Sequence, residues 1–183
     1  RLREFYQFNA DLLGDSSAAA DAELVALAVD ILRELGFGPD DVVVRVSDRR
    51  AWMEFLADKA VSDPEAVEVV LGVVDKLDRE SAESAEARLQ PYGVTLEELK
   101  LFIAGKGGSA MQPLVDELTA RGLEDYVEID LGIVRGLAYY TGFVFEVFDR
   151  SRAMRAVAGG GRYDQLIRHL SDGGTDLAAA GFG

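Results

Sequence analysis

A run of polar and aromatic residues precedes the most regular strand pattern in the chain. Arg135, Tyr139 and Tyr140 come just before FVFEVFD, residues 143 to 149, which has apolar residues on both faces. Such a strand is typical of a sheet interior, where a guanidinium needs an anion and phenols need hydrogen-bonding partners. The pattern therefore predicts an anion-binding arginine beside two hydrogen-bonding tyrosines. A structural ion pair with two tyrosines at a sheet rim is the simpler alternative.

Three consecutive glycines offer a second place for chemistry. Residues 158 to 164 read AGGGRYD, in which Gly159, Gly160 and Gly161 let a backbone approach a ligand or another strand closely. Their spacing is not that of the glycine-rich dinucleotide-binding turn. We interpret the segment as a tight turn between a strand and a helix, with Asp164 near the helix start.

The N-terminal stretch RLREFYQFNAD pairs an amide with a carboxylate. Residues 1 to 9 alternate as in a strand, and Gln7 and Asp11 are four residues apart, so a continuous strand would project both to one side. They would then face one pocket, although a solvated sheet edge explains the same pattern. His169 is predicted on a helix surface, and the acidic runs DAEL and ESAESAEA on solvated helix faces.

The elements that must position these residues favour an α+β fold. Residues 22 to 36 have helical spacing, residues 40 to 48 are β-branched, and helical patterns then continue to about residue 124. Helix starts are predicted at Asp48, Asp63, Thr95 and Ser109. We predict a mostly antiparallel sheet flanked by helices, divided into residues 1–49, a helical insertion at 50–124 and residues 125–183.

Composition narrows the classes of protein. The 183 residues are 49% apolar and 28% charged, which is typical of a globular domain, and no apolar run approaches the roughly 20 residues of a membrane helix. Because the chain has no cysteine and one histidine, thiolate zinc sites and histidine-based triads are excluded, and we predict no protein-bound metal. A net charge of −14 disfavours nucleic-acid binding by this chain alone. We expect a cytoplasmic protein and, because the first residue is not Met, a piece of a longer chain.

Together, three stretches resemble histidyl-tRNA synthetases. RLREFYQFNADLLG is similar to the second half of class II motif 2, and VRGLAYYTGFVFEVFD and AGGGRYDQLI are similar to the histidine-specific signatures commonly written RGLDYYTG and GGRYD. They occur in the family's order and at compatible separations, and the family also carries a helical insertion at this place. The resemblance implies a class II synthetase-like catalytic core that converts histidine and ATP to histidyl-adenylate and then charges tRNA(His).

The resemblance also implies particular site residues. The residues implied to bind histidine are Gln7, Asp11, Arg135, Tyr139, Tyr140, Gly160 and Gly161. Of these, Gln7 and Asp11 would meet the α-amino group, the tyrosines would line the imidazole pocket, and the glycines would close it.

On the ATP side, the resemblance implies that Phe5 stacks on adenine and that Arg1 and Arg3 lie near the nucleotide. Arg135 would stabilise charge as the histidine carboxylate attacks the α-phosphorus, with Mg²⁺ bridging the phosphates. Family members pair as homodimers, and no membrane partner is implied.

Two departures from the family leave an alternative open. Ala138 replaces the usual aspartate, and motif 1, the first part of motif 2, motif 3 and the anticodon-binding domain are not recognised, so we expect this piece to be inactive alone. A synthetase-like regulatory subunit of ATP phosphoribosyltransferase has the same fold. Arg135 with the tyrosine pair favours the enzyme, because a regulator has no phosphorus centre to stabilise, whereas Ala138 favours the regulator. A ligand-free structural module would require three coincidental motifs.

Overall fold

The computed structural model describes residues 4–134, 139–151 and 155–183, and a six-stranded sheet is the centre of these residues. The strands are β1 (Ala10–Leu13), β2 (Val42–Asp48), β3 (Val127–Ile129), β4 (Phe143–Asp149), β5 (Ala158–Arg162) and β6 (Ala179–Phe182). Their order is β1-β6-β5-β4-β2-β3, and all neighbours are antiparallel except the parallel pair β2 and β3. The prediction of an α+β fold with a mostly antiparallel sheet is confirmed.

Strand β4 lies in the interior of the sheet, as its pattern predicts. Phe143, Phe145 and Val147 are buried on one face, and Val144 is buried on the other. Its hydrogen-bonded neighbours are β2 and β5, so both edges of the strand are also covered. The segment that carries the tyrosine pair therefore enters the sheet at its best-packed strand.

Helix α1 (Ala18–Glu34) packs on the face of Phe143 and Phe145, and its limits follow from local chemistry. The Ser17 hydroxyl accepts a hydrogen bond from the Ala20 amide at 3.2 Å and caps the first turn. At the other end, Gly36 has a φ of +89°, a left-handed conformation that stops the helix. The predicted helix is confirmed.

A set of helices lies between β2 and β3 in chain order. They are α2 (Arg49–Asp58), α3 (Pro64–Val74), α4 (Ala82–Leu89), α5 (Leu96–Ala104) and α6 (Gln112–Ala120), with short 3₁₀ turns at Gln90–Tyr92 and Gly108–Met111. Asp48 caps α2, Asp63 caps α3 and Thr95 forms a capping box with Glu98, as predicted. The predicted helix start at Ser109 is wrong. Residue 109 lies in the 3₁₀ turn, and α6 begins later because Pro113 has the backbone angle of a first helical turn.

Two strand assignments made from the sequence are also wrong. Residues 4–9 form no strand, because the pairing of β1 with β6 ends at Ala10 and Phe182 and no described strand lies beside the preceding residues. The predicted glycine turn is instead the middle of β5, in which Gly160 pairs with Phe145 on one side and Phe182 on the other. Small residues are needed there for close strand packing, and the short α7 (Leu166–Leu170) begins only afterwards.

One acidic run is solvated as predicted, and the other is not. Glu83 and Glu86 in ESAESAEA are exposed, whereas Glu80, the first residue of the run, is partly buried and forms an ion pair with Arg88. In DAEL, however, Asp21 is only 1% exposed and forms an ion pair with Arg162, whereas Glu23 is exposed. His169 is exposed as predicted. Within the described ranges, no helix is both long and apolar enough to span a bilayer.

We expect Gly160→Ala to lower the free energy of unfolding by more than about 2 kcal/mol. An added Cβ would overlap the Gly181 carbonyl oxygen and lie 2.5 Å from the Phe182 Cβ, so backbone must move. Gly38→Ala is a matched control, because its Cβ meets Asp41 at an ordinary 3.6 Å, and it should change stability by less than about 0.5 kcal/mol. Urea unfolding measures both, and equal small losses would contradict the close packing.

Candidate functional site

Four glycines form a surface without side chains on one face of the sheet. Gly181 pairs with Gly161, and next to them Gly159 and Gly183 exchange backbone hydrogen bonds of 3.0 and 3.1 Å. Residues two apart in a strand point to the same face, so all four face the side opposite to α1. We call Gly159, Gly161, Gly181 and Gly183 the glycine floor.

Side chains from two directions lean over the glycine floor. An added Cβ on Gly181 would overlap the Asp11 carboxylate, and one on Gly183 would overlap the amides of Gln7 and Asn9. Across the floor, a Cβ on Gly161 would lie 2.9 Å from the Tyr140 ring.

The predicted placement of Gln7 and Asp11 on one side of the sheet agrees with these contacts. Gln7, Asn9 and Asp11 thus lie on one side, even though Gln7 is not in a strand. The Gln7 amide donates to the Asn9 side-chain oxygen at 2.8 Å.

Three tyrosines form a wall beside the Asp11 carboxylate. The Tyr163 hydroxyl donates a hydrogen bond to Asp11, and the Tyr163 ring centroid lies 5.3 Å from that of Tyr139. The rings of Tyr139 and Tyr140 meet edge to face at 5.0 Å. We call Tyr139, Tyr140 and Tyr163 the tyrosine cluster. A carboxylate, an amide and three phenols thus surround one patch of bare backbone.

The phenols of the cluster remain protonated at neutral pH. Burial raises the pKa of Tyr163 far above its usual value, and the hydrogen bond to Asp11 raises it further. Burial also raises the pKa of Tyr139, with a further contribution from the Asp11 charge, and burial raises the pKa of Tyr140. Each hydroxyl is therefore a stable hydrogen-bond donor.

The far side of the floor is also charged. Glu146 pairs in register with Gly159 and, on its other side, with Arg45 of β2. The Arg45 guanidinium donates to Asp130 at 2.9 Å, whereas its buried Nε has no hydrogen-bond partner. Glu146, Arg45 and Asp130 line a cavity of 810 Å³ that also contacts Asp75. Carboxylates on both sides of the floor suit a ligand with positively charged or N–H-bearing groups.

The structure separates some predicted site residues from this pocket. Gly160 points to the α1 side of the sheet, so only its backbone reaches the floor region. Phe5 is 75% exposed and does not lie over the floor, but the groove of 930 Å³ that it lines with Phe8 also contacts Gln7, Gly159 and Gly183. Arg1, Arg3, Arg135 and Ala138 lie outside the described residues.

The fold brings several residues to the site that the sequence motifs did not indicate. Tyr163 is two positions after Gly161, and the period of a strand would have indicated that both share a face. Gly181 and Gly183 are widely separated from the other glycines in sequence and gave no local signal. In the described part of the chain, no three His, Cys, Asp or Glu side chains form a group that could hold a metal ion.

Comparisons with known proteins agree on one family. The family model described as histidyl-tRNA synthetase matches residues 1–183. The chain is 38% identical over 205 residues to a histidine–tRNA ligase of Opitutus terrae and 34% identical over 200 residues to the chloroplastic and mitochondrial enzyme of Arabidopsis thaliana. Both alignments include 100% of this chain but only 46% and 40% of those relatives. The chain thus spans less than half the length of the curated relatives that it matches.

Solved structures support the same fold. A histidyl-tRNA synthetase from Nostoc matches with a TM-score of 0.76 and 20% identity, covering 95% of this chain and 47% of that one. A Bacillus halodurans protein described as an ATP phosphoribosyltransferase regulatory subunit/histidyl-tRNA synthetase also matches with a TM-score of 0.76, at 24% identity, covering 95% of this chain and 49% of that one. At these identities the likeness concerns the fold alone.

We expect Tyr163→Phe to remove only the most alkaline step from the ultraviolet titration of the tyrosines. The raised pKa of Tyr163 places its ionisation well above the usual value of about 10. The parent and the variant should therefore give matching phenolate absorbance near pH 10 and diverge only at higher pH. Loss of absorbance already near pH 10 would contradict a buried, hydrogen-bonded Tyr163.

Proposed function

Because the chain belongs to the histidyl-tRNA synthetase family, we propose that it forms the amino-acid pocket of a histidine–tRNA ligase that activates histidine with ATP. The observation that carries the proposal is the glycine floor, with Asp11, Gln7 and the tyrosine cluster around it. Because the floor has no side chains of its own, Asp11, Gln7 and Tyr140 lie against the glycines, and a substrate would bind beside these side chains and take its polar contacts from them.

Selection of histidine would follow from hydrogen bonds that smaller or apolar amino acids cannot complete. The Asp11 carboxylate would attract a protonated nitrogen of the substrate, and the Gln7 side-chain amide would accept or donate a second hydrogen bond. An analogue without these groups would not form these bonds and would bind more weakly. Gly161 would allow the substrate to lie against Tyr140, whose ring is already in close contact with this glycine position.

Adenylation would join two substrates at the edge of the pocket. A histidine carboxylate oxygen would attack the α-phosphorus of ATP, the bond to the leaving oxygen would break, and pyrophosphate would depart. The family resemblance assigns charge stabilisation to Arg135, nucleotide contacts to Arg1 and Arg3, and adenine stacking to Phe5, whose exposed ring is accessible. Mg²⁺ would be carried by the ATP phosphates.

Transfer to tRNA(His) would require more than this chain. With a net charge of −14, the chain is poorly suited to contact the tRNA backbone by itself. We therefore propose that tRNA binding, homodimer formation and full class II catalysis belong to a longer protein, of which the chain contributes the histidine-binding part. The same protein would work in the cytoplasm.

A regulatory subunit of ATP phosphoribosyltransferase is the second candidate. One solved structure of the same fold carries both descriptions, and Ala138 departs from the usual pattern of the catalytic family. Such a protein would use the pocket to sense histidine and would not activate it.

We expect Asp11→Asn in the full-length protein to raise the KM for histidine by about 10- to 100-fold in histidine-dependent ATP–pyrophosphate exchange, with little change in the KM for ATP. The substitution keeps the shape of the side chain but removes the charge that would hold a protonated nitrogen. Asp58→Asn, at an exposed position at the end of α2, serves as the matched control.

Two results would count against this assignment. Equal losses for histidine and ATP would mean that Asp11 does not belong to the histidine pocket. A full-length protein that binds histidine in calorimetry but supports no exchange, even with all residues intact, would favour the regulatory subunit.

A further inference from the structure

Arg162 lies beneath the tyrosine cluster and uses most of its hydrogen-bonding capacity there. The residue is 2% exposed and points to the α1 side of the sheet. Its Nε and one terminal nitrogen donate to the Asp21 carboxylate at 2.8 and 2.5 Å, while the other terminal nitrogen donates to Asp164 at 2.9 Å and to the Asp15 carbonyl at 3.0 Å. The guanidinium is therefore held from three directions.

The backbone of Arg162 holds the segment that follows the tyrosine pair. Its carbonyl oxygen accepts hydrogen bonds from the Thr141 amide at 2.7 Å and from the Thr141 hydroxyl at 3.3 Å. The same hydroxyl accepts a bond from the Asp164 amide at 3.0 Å. Gly142 packs on the aliphatic part of Arg162, because an added Cβ would lie 3.2 Å from its Cδ. Thr141, the residue after Tyr140, is thus hydrogen-bonded directly to the end of β5.

The alternation of β5 links the two faces of the sheet. Arg162 points toward α1, so Tyr163 points to the opposite face, where its hydroxyl reaches Asp11. Asp164 also accepts a bond from the Ala179 amide at 3.1 Å, which connects this end of β5 with the start of β6. A change in the position of Arg162 would therefore also move Tyr163, because the two residues are adjacent in the chain.

Stability alone is a poor explanation for a buried ion pair at this place. Burial raises the pKa of Asp21 to about 6, which reflects the cost of removing the carboxylate from water. Well-packed apolar residues at such positions often give equal or greater stability, whereas a guanidinium holds its partners in a defined planar geometry. The pair is better matched to orienting the residues around it.

We propose that Arg162, anchored on Asp21 beneath the sheet, is a positioning residue that sets the orientation of Tyr140 and Tyr163 in the ligand pocket. The proposal rests on the proposed function for its kinetic consequence. Its geometric consequence, a change in the environment of the tyrosines, holds whatever the pocket binds.

The kinetic test uses Asp21→Asn and Arg162→Lys in the full-length protein. Both variants should raise the KM for histidine by about 10- to 100-fold in ATP–pyrophosphate exchange, because small displacements of positioned groups have effects of this size. The KM for ATP should remain within about twofold of the parent value. A purely structural pair would instead reduce the fraction of folded enzyme, which lowers the apparent kcat and leaves the KM for histidine unchanged.

A second measurement reports on the pocket without a substrate. Fluorotyrosine is incorporated into the full-length protein, and single Tyr→Phe variants assign the ¹⁹F resonances. Asp21→Asn should shift the resonances of Tyr140 and Tyr163 and leave that of Tyr92, in the helical insertion, unchanged. Glu80→Gln is the matched control, because it breaks an ion pair with Arg88 in that insertion and should leave both pocket resonances and the KM for histidine unaltered.

The two measurements separate the possible failures. If the parent shows no exchange but the pocket resonances shift in Asp21→Asn, the proposed function fails and the positioning role stands. If exchange proceeds and folded Asp21→Asn retains the parent KM for histidine and the parent spectrum, the positioning role is wrong. Should Asp21→Asn fail to fold, Arg162→Lys, which keeps the charge pair but loses the planar fork, decides by the same two readouts.

Discussion

The absence of side chains at four paired positions of β5 and β6 is the constraint from which the rest of the site follows. Because the glycine floor has no side chains of its own, Asp11 lies directly against Gly181, Gln7 against Gly183 and Tyr140 against Gly161, and Gly161 and Gly181 are buried beneath them. An added Cβ would collide with Asp11 at Gly181, with Gln7 at Gly183 and with Tyr140 at Gly161, whereas at Gly159 it would lie 3.3 Å from the Phe145 carbonyl oxygen. The pocket therefore exists because the sheet is locally bare, and its walls are side chains that lean in from either side.

The same two strands serve different purposes on their two faces. On the face opposite to α1 lie the glycine floor and Tyr163. On the face of α1 lie Phe182 and Arg162, which pairs with Asp21 of that helix. Strand alternation forbids independent adjustment of the two faces, since a shift in register would exchange them completely. Under the proposed positioning role, Asp21 of α1 would act through this coupling on residues of the opposite face.

The helical segment between β2 and β3 is attached to the sheet by a few well-defined contacts. Trp52 of α2 is fully buried and donates from its indole nitrogen to the Leu131 carbonyl at 3.1 Å. Arg45 in β2 forms an ion pair with Asp130 just after β3. These bonds join the start of the segment to the chain that follows it, close to the cavity beside Glu146. The division into three domains made from the sequence stays a prediction, although the chain order of helices and strands agrees with it.

Local chemistry was readable from the sequence, because it involves residues within a few positions of one another. The helix caps at Asp48, Asp63 and Thr95 and the two buried faces of β4 all belong to this class, and so does the placement of Gln7 and Asp11 on a common side. The start of α6 was missed even though Pro113 was a local signal for it.

The tertiary structure alone decided which distant residues meet. The Tyr163–Asp11 bond spans 152 residues and the Arg162–Asp21 pair spans 141, and no local pattern specifies such pairings. Asp21 looked like a solvated helix residue, and the glycines of β5 looked like a turn, because helical and turn preferences contain no information about the strand or charge that packs against them. Burial and cross-strand pairing are properties of the assembled sheet, so they appear only when all six strands are in place.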